Sequence, residues 1–178
     1  MAADQSSFEL AQVNIGRLLA PVDSPQIADF MAALDPINAL ADTSPGFVWR
    51  LQTAEGNATS LHSFDDELII SNMSVWASIE ALRAFTYTSA HTGVMRRRRE
   101  WFEVYESAYM ALWWVPVGHR PTIEEAKERL AALDRDGPTP FAFTFRVPFA
   151  APTNEQRGLA ITADVRDTLA AVQAKRQG

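Results

Sequence analysis

The run Tyr109-Met110-Ala111-Leu112-Trp113-Trp114-Val115 is apolar throughout and is stopped by Pro116 and Gly118, so it reads as a central strand with both faces out of water. Side chains alternate across a strand, which puts the adjacent Trp113 and Trp114 on opposite faces. Neither face of the sheet that holds this strand can therefore be left to solvent. The chain has 178 residues, 47% of them hydrophobic, enough for one core and too few to make two domains the default. A chain of this size has helices enough for about one face of such a sheet. The expectation is a homodimer in which a second copy brings its own sheet to the other face.

The remaining elements follow from periodicity and punctuation. Phe8 to Ile15 is a strand, and Ser24-Pro25 opens a helix carrying Ile27, Phe30, Met31 and Leu34, which Pro36 bends or restarts. Phe47 to Gln52 is the second strand, Thr59 to Phe64 an extended piece that makes a hairpin arm, and Leu68 to Met73 the third strand. Ser74 or Ser78 caps a helix bearing Ile79, Leu82 and Phe85, and a further helix runs from about His91 to Tyr105. Thr122 and Glu125 form a capping box ahead of Ile123, Ala126, Leu130 and Leu133, with Gly137-Pro138 as the stop. Phe141, Phe143 and Phe145 alternate as a last strand. The order is β-α-β-β-α-β with an extra helix and strand. It implies an α+β, ferredoxin-like antiparallel sheet with helices on one face over residues 1–150, and a loosely docked tail over 151–178 whose Val165, Leu169 and Val172 share one helical side.

Chemistry concentrates on the segment from His91 to Tyr105. Drawn as a helix, it gathers Val94, Met95, Trp101, Phe102 and Tyr105 on one side with His91 and Arg98 among them, while Arg96, Arg97 and Arg99 point away, Arg96 toward Glu100 and Arg99 toward Glu103. A guanidinium on an apolar side needs a carboxylate, carbonyls or a bound anion, so Arg98 is either an internal ion pair or an anion anchor. His91 is either a hydrogen-bonding residue at a helix start or a general acid/base in a pocket. Five tryptophans, Trp49, Trp76, Trp101, Trp113 and Trp114, supply flat apolar surface. Between facing sheets they would make an aromatic space punctuated by Gln12, Asn14, Arg50 and Gln52, suited to a small planar ligand. Trp49, Trp76, Trp101 and Trp114, with Asn14 and Arg50, are the candidate substrate-binding residues.

Several classes are disfavoured. The absence of cysteine removes disulfides, thiolate metal sites and a cysteine nucleophile, and fits a reducing, cytoplasmic setting. A net charge of −6 with dispersed basic residues argues against nucleic acid. No apolar run is long enough to span a bilayer, and the first residues lack a secretory pattern. No P-loop, Gly-x-Gly-x-x-Gly, Gly-x-Ser-x-Gly or His-Glu-x-x-His is present. His62 with Asp65 and Asp66 lacks a recognised metal spacing, so no metal is expected there.

Asn72-Met73-Ser74-Val75-Trp76-x-Ser78-Ile79-Glu80-Ala81-Leu82-x-x-Phe85, then His91, Arg98-x-x-Trp101-Phe102, and Leu112-Trp113-Trp114-Val115-Pro116 with Gly118-His119, resemble the bacterial family DUF3291 over about residues 8–149. Ala77 departs from the glutamate common at that place in relatives. The resemblance implies a dimeric α/β-barrel of the antibiotic-biosynthesis-monooxygenase-like kind, with the tryptophan motif and His91 beside the barrel mouth. Such barrels support cofactor-independent oxygenation, haem chemistry, isomerisation, cyclisation or none. The leading expectation is a cofactor-independent monooxygenase acting on an aromatic substrate, with His91 moving the proton and Arg98 or Arg50 stabilising the oxyanion. The alternatives are a haem protein ligated by His91, a non-catalytic dimer that binds an aromatic metabolite, and an interaction module using the tail.

Overall fold

Both edges of strand β1 (Phe8–Arg17) are paired, which makes it the strand around which the sheet is built. The computed structural model describes residues 7–52, 64, 66–87 and 89–153, without the side chains of 89–91. After β1 come helix α1 (Ala28–Asp42), strands β2 (Phe47–Arg50) and β3 (Ile69–Trp76), helices α2 (Ile79–Thr86) and α3 (Ser89–Arg97), strand β4 (Met110–Pro116) and helix α4 (Ile123–Asp136). The strands form one sheet in the order β2-β3-β1-β4, antiparallel at each contact. This is the expected α+β, ferredoxin-like arrangement. The expected hairpin arm over Thr59 to Phe64 lies, Phe64 apart, outside the described residues, as does most of the 151–178 tail.

The register separates the sheet into two chemically different faces. Ala11 is opposite Val75 and Trp113, and Val13 is opposite Met73 and Ala111. These residues, with Ile15 and Val115, form one core with Ala126, Leu130 and Leu133 of α4. On the other face Leu10 is opposite Trp76 and Trp114. There Leu10, Trp76 and Leu112 pack with Ala41 of α1 and Leu82 of α2. Farther along, Leu18 packs with Ile27, Phe30 and Trp101, joined by Val94 of α3. The helices are therefore not confined to one face, as the sequence reading had them. Helices α1, α2 and α3 cover one side, and α4 covers the β1–β4 part of the other. One chain closes both faces of β4, so Trp113 and Trp114 are explained without a facing sheet from a second copy.

Local sequence accounts for most element ends. Ser78 caps α2 by accepting from the Ala81 N–H at 3.2 Å, while Ser74 stays in β3, where its Oγ accepts from Trp76 Nε1 at 2.8 Å. Thr122 caps α4 through the Glu125 N–H at 3.1 Å. Pro36 is exposed inside α1, on the side where its missing N–H costs least, and the helix continues through it. Two expected elements change. The helix drawn from His91 to Tyr105 ends at Arg97, passes through a single 3-10 turn, and gives way at Trp101 because residues 101–103 dock on the end of β1. The Leu19 N–H donates to the Trp101 carbonyl and the Glu103 N–H to the Arg17 carbonyl, each at 2.9 Å. Pairing with β1 overrides the helical spacing. The Phe141–Phe145 row forms no strand; Phe143 alone bridges the outer edge of β4, exchanging two 2.8 Å bonds with Leu112.

α4 is fastened to the sheet by Glu125, which accepts from Trp113 Nε1 at 2.8 Å and lies 2.8 Å from His119 Nε2. Burial pushes its carboxyl up, but the hydrogen bonds from His119 and Trp113 and the nearby Arg129 outweigh burial and hold it below the ordinary carboxylate range. A depressed folded-state value stabilises the fold above the unfolded carboxyl's value, about 4.3, and that contribution is lost as pH falls through the folded value. Glu125→Gln is expected to lower stability at neutral pH and to flatten its decline on acidification. Urea melts of both proteins from neutral pH downward test this, and parallel pH curves would count against it.

Candidate functional site

Between the two aromatic clusters on the α1–α3 side, the sheet presents polar residues instead of apolar ones. Gln12 lies opposite Ser74, and Asn14 opposite Asn72 and Met110. Gln12 and Ser74 are buried at 6% exposure each, whereas Asn14 and Asn72 are exposed although they sit on the two central strands. An exposed pair there means that the helical layer is open above it. The Leu10 and Gly16 rows that bound this opening are about 20 Å apart along β1, and about 13 Å remains once a van der Waals contact is allowed at each end.

The walls are aromatic. At one end Trp76 is stacked on Phe85 (5.1 Å, 26°) and meets Phe47 edge-on (5.3 Å, 81°). Trp114 lies across Leu10 from it, on β4, half-buried, its Nε1 donating to the Phe149 carbonyl at 2.9 Å. At the other end Phe102 packs close against Gly16 and edge-on to Phe30 (4.9 Å, 85°), with Trp101 behind at 3% exposure. Arg97, expected to point away, instead braces that end by bonding Asp29 of α1 and Glu100, each at 2.8 Å, and its guanidinium lies 4.9 Å from the Trp101 ring. Arg17 bonds both Asp66 and Glu103 on the far side of the same corner.

The floor is a network of amides. Gln12 Nε2 donates to Asn72 Oδ1 at 2.9 Å and approaches Asn14 Oδ1 at 3.4 Å and the Asn72 backbone carbonyl at 3.5 Å. With their oxygens turned to Gln12, both asparagines direct their NH2 groups away from it. Uncharged donors of this kind can hold a carbonyl, enolate or phenolate oxygen.

The structure places the sequence candidates unevenly. Asn14 is in the floor, and Trp76, Trp114 and Trp101 belong to the end walls. Arg50 is on the same face, in register with Ser74, but Asp42 at the end of α1 already matches its charge, with Nε to Oδ1 at 2.8 Å and Nη2 to Oδ2 at 3.2 Å. Trp49 faces the opposite side, against the α4 core, and does not reach the cleft. Arg98 is exposed in the 3-10 turn, so the desolvated guanidinium drawn from helical spacing is not found; the turn redirects it. Likewise Glu100 pairs with Arg97 and Glu103 with Arg17, in place of the expected Arg96 and Arg99. His91 lies in α3, with its ring outside the described side chains. Asp66, suspected of metal binding, bonds Arg17 Nε at 2.7 Å and the Leu68 N–H at 2.9 Å; His62 and Asp65 are outside the described residues.

Sequence reasoning noted Gln12 but missed Asn72 and Ser74 as partners. The available signal was that β1 and β3 each carry two polar residues at strand spacing, Gln12 and Asn14, Asn72 and Ser74. Antiparallel pairing brings them together on one face.

The DUF3291 family model, described as a domain of unknown function, matches residues 9–159, and the chain belongs to that family. No curated protein matches it. Among solved structures the chain is similar to SnoaB, a cofactor-independent oxygenase from Streptomyces nogalater, at 18% identity and TM-score 0.41, covering 64% of this chain and 95% of that one. It is also similar to PA3566 from Pseudomonas aeruginosa (12%, TM-score 0.44, 67% of this chain, 100% of that one). A Nitrosomonas europaea protein provisionally described as an antibiotic biosynthesis monooxygenase gives 12%, TM-score 0.43, 67% and 99%. Among the described residues no helix is long and apolar enough to cross a membrane.

A Cβ at Gly16 would stand 2.6 Å from Phe102 Cδ1 and 2.8 Å from Cε1, so the close approach of that ring depends on glycine. Gly16→Ala is expected to destabilise the protein by about 1–3 kcal/mol as Phe102 is lifted toward the Asn14–Asn72 row. Chemical denaturation measures the cost, and an unchanged midpoint would show that the ring is not seated as described.

Proposed function

We propose that the cleft binds a small planar molecule bearing an acidic oxygen, a phenol or enol, and that the protein is a small-molecule enzyme of the antibiotic-biosynthesis-monooxygenase-like type. The observation that carries this reading is the exposed Asn14–Asn72 pair in the centre of a sheet face otherwise covered by helices. Two NH2 donors would favour the ionised form of the bound oxygen, and the aromatic walls on either side suit contact with fused rings. The floor and both end walls described above come from one protomer.

The reaction that suits such a site is direct oxygenation of an activated methylene. The enolate formed by loss of a proton from carbon adds dioxygen, the proton returns to give a hydroperoxide, and loss of water leaves a ketone. In sum, the methylene carbon exchanges its two hydrogens for one oxygen atom of dioxygen, the other oxygen leaves with those hydrogens as water, and no external reductant is consumed. In this reading His91 on α3 moves the proton, Asn14 and Asn72 hold the enolate oxygen, and Trp76 and Trp114 line the apolar side. The four floor residues are all uncharged, which favours a second reading in which the cleft binds without turnover.

The test combines binding of the fluorescent phenol 7-hydroxycoumarin with oxygen uptake on planar phenols and activated-methylene ketones. Asn14→Ala and Asn72→Ala are expected to weaken binding and, where turnover occurs, to lower kcat/KM by about 10²–10³-fold for one lost donor; because each also takes an acceptor from the buried Gln12, circular dichroism at the assay temperature checks that the variants are folded. Binding without oxygen uptake would select the non-catalytic reading, and a Soret band in the purified protein the haem reading with His91. Asparagine variants that bind as the parent does would remove the cleft from either.

A further inference from the structure

Gln12, like Ser74, is buried beneath the exposed asparagines, where a ligand does not need to touch it. Its amide orientation is not a free choice. Nε2 faces the Asn72 backbone carbonyl at 3.5 Å, and a carbonyl can only accept, so the NH2 side of Gln12 must point there. The same nitrogen is the atom nearest Asn72 Oδ1 and Asn14 Oδ1, at 2.9 and 3.4 Å. Flipping either asparagine would set NH2 against NH2. With two hydrogens for three acceptors, the Gln12 NH2 gives its short bond to Asn72 Oδ1 and shares the other hydrogen between the Asn72 carbonyl and Asn14 Oδ1, so it orients Asn72 directly and Asn14 through the weaker contact.

We propose that Gln12 is a positioning residue that locks Asn14 and Asn72 with both NH2 groups toward the cleft, making the site selective for anionic oxygen ligands over their neutral, protonated forms. This rests on the cleft being the ligand site. Without the lock, each asparagine could equally present its carbonyl oxygen, which favours a protonated hydroxyl and repels a phenolate. Selectivity for the ionised form is then set one residue removed from the ligand, by a side chain with no charge and no titration of its own.

The experiment follows the neutral and phenolate absorption bands of bound 7-hydroxycoumarin across neutral to alkaline pH in the full chain, with Gln12→Glu and the near-isosteric Gln12→Met. The unsubstituted protein is expected to favour the phenolate by about tenfold or more relative to the free dye, as hydrogen bonds to a charged oxygen do. Gln12→Glu offers only acceptors once ionised, turns the asparagine NH2 groups back toward position 12, and should reverse the preference. Gln12→Met should leave the dye bound with its ionisation close to that in water. A parent protein that binds the dye with no change in ionisation, or fails to bind it, overturns the cleft reading and the lock with it. A phenolate preference retained in folded Gln12→Met overturns the lock alone; should Gln12→Glu not fold, Gln12→Met decides.

Discussion

The double pairing of β1 is the constraint on which everything else depends. Because β3 and β4 both hydrogen-bond to it, each residue from Leu10 to Asn14 has a cross-strand partner on either side, and a slip of one residue would exchange the two faces. Ala11, Val13 and Ile15 are then committed to the α4 core. Gln12 and Asn14 are committed to the side of α1, α2 and α3, where they meet Ser74 and Asn72. The cleft is the consequence of four polar residues held at a place where the register leaves them no alternative.

Polar side chains in the middle of a covered sheet face cost stability unless they are bonded, and the network meets that cost in a particular way. Gln12 is bonded and buried, and Ser74 is bonded through the Trp76 indole. The asparagines spend their oxygens on Gln12 and keep their NH2 groups for water or a ligand. Around them the aromatic clusters stay separate, one gathered on Leu10, Trp76 and Leu112, the other on Leu18, Phe30 and Trp101.

The sheet was legible in the sequence because strands announce themselves by period and punctuation, and the capping serines and threonines marked the starts of α2 and α4. The side on which each helix lies was not. Nothing local in Ile123 to Asp136 distinguishes a helix that joins α1 and α2 from one that crosses to the other face; that choice is made by Trp113, whose indole meets Glu125 only there. The Arg98 reading failed for a related reason: a helical projection assumes that the helix continues, and long-range pairing of residues 101–103 with β1 ends it. Asn14 was legible as polar punctuation, but its partner Asn72 was hidden in a segment that reads locally as an ordinary strand end.

The position of α4 bears on how the chain comes into being. β1 is made first, yet β4, which pairs one of its edges, and α4, which covers one of its faces, are supplied by residues 110–136. On the ribosome the first strand therefore waits, with an open edge and the Ala11, Val13 and Ile15 face in water, until most of the domain has been synthesised. Such an edge is the kind of surface on which nascent chains pair wrongly. Trp113 belongs to the strand that closes that edge and bonds Glu125 of the helix that covers that face, so a single residue ties the two late elements together.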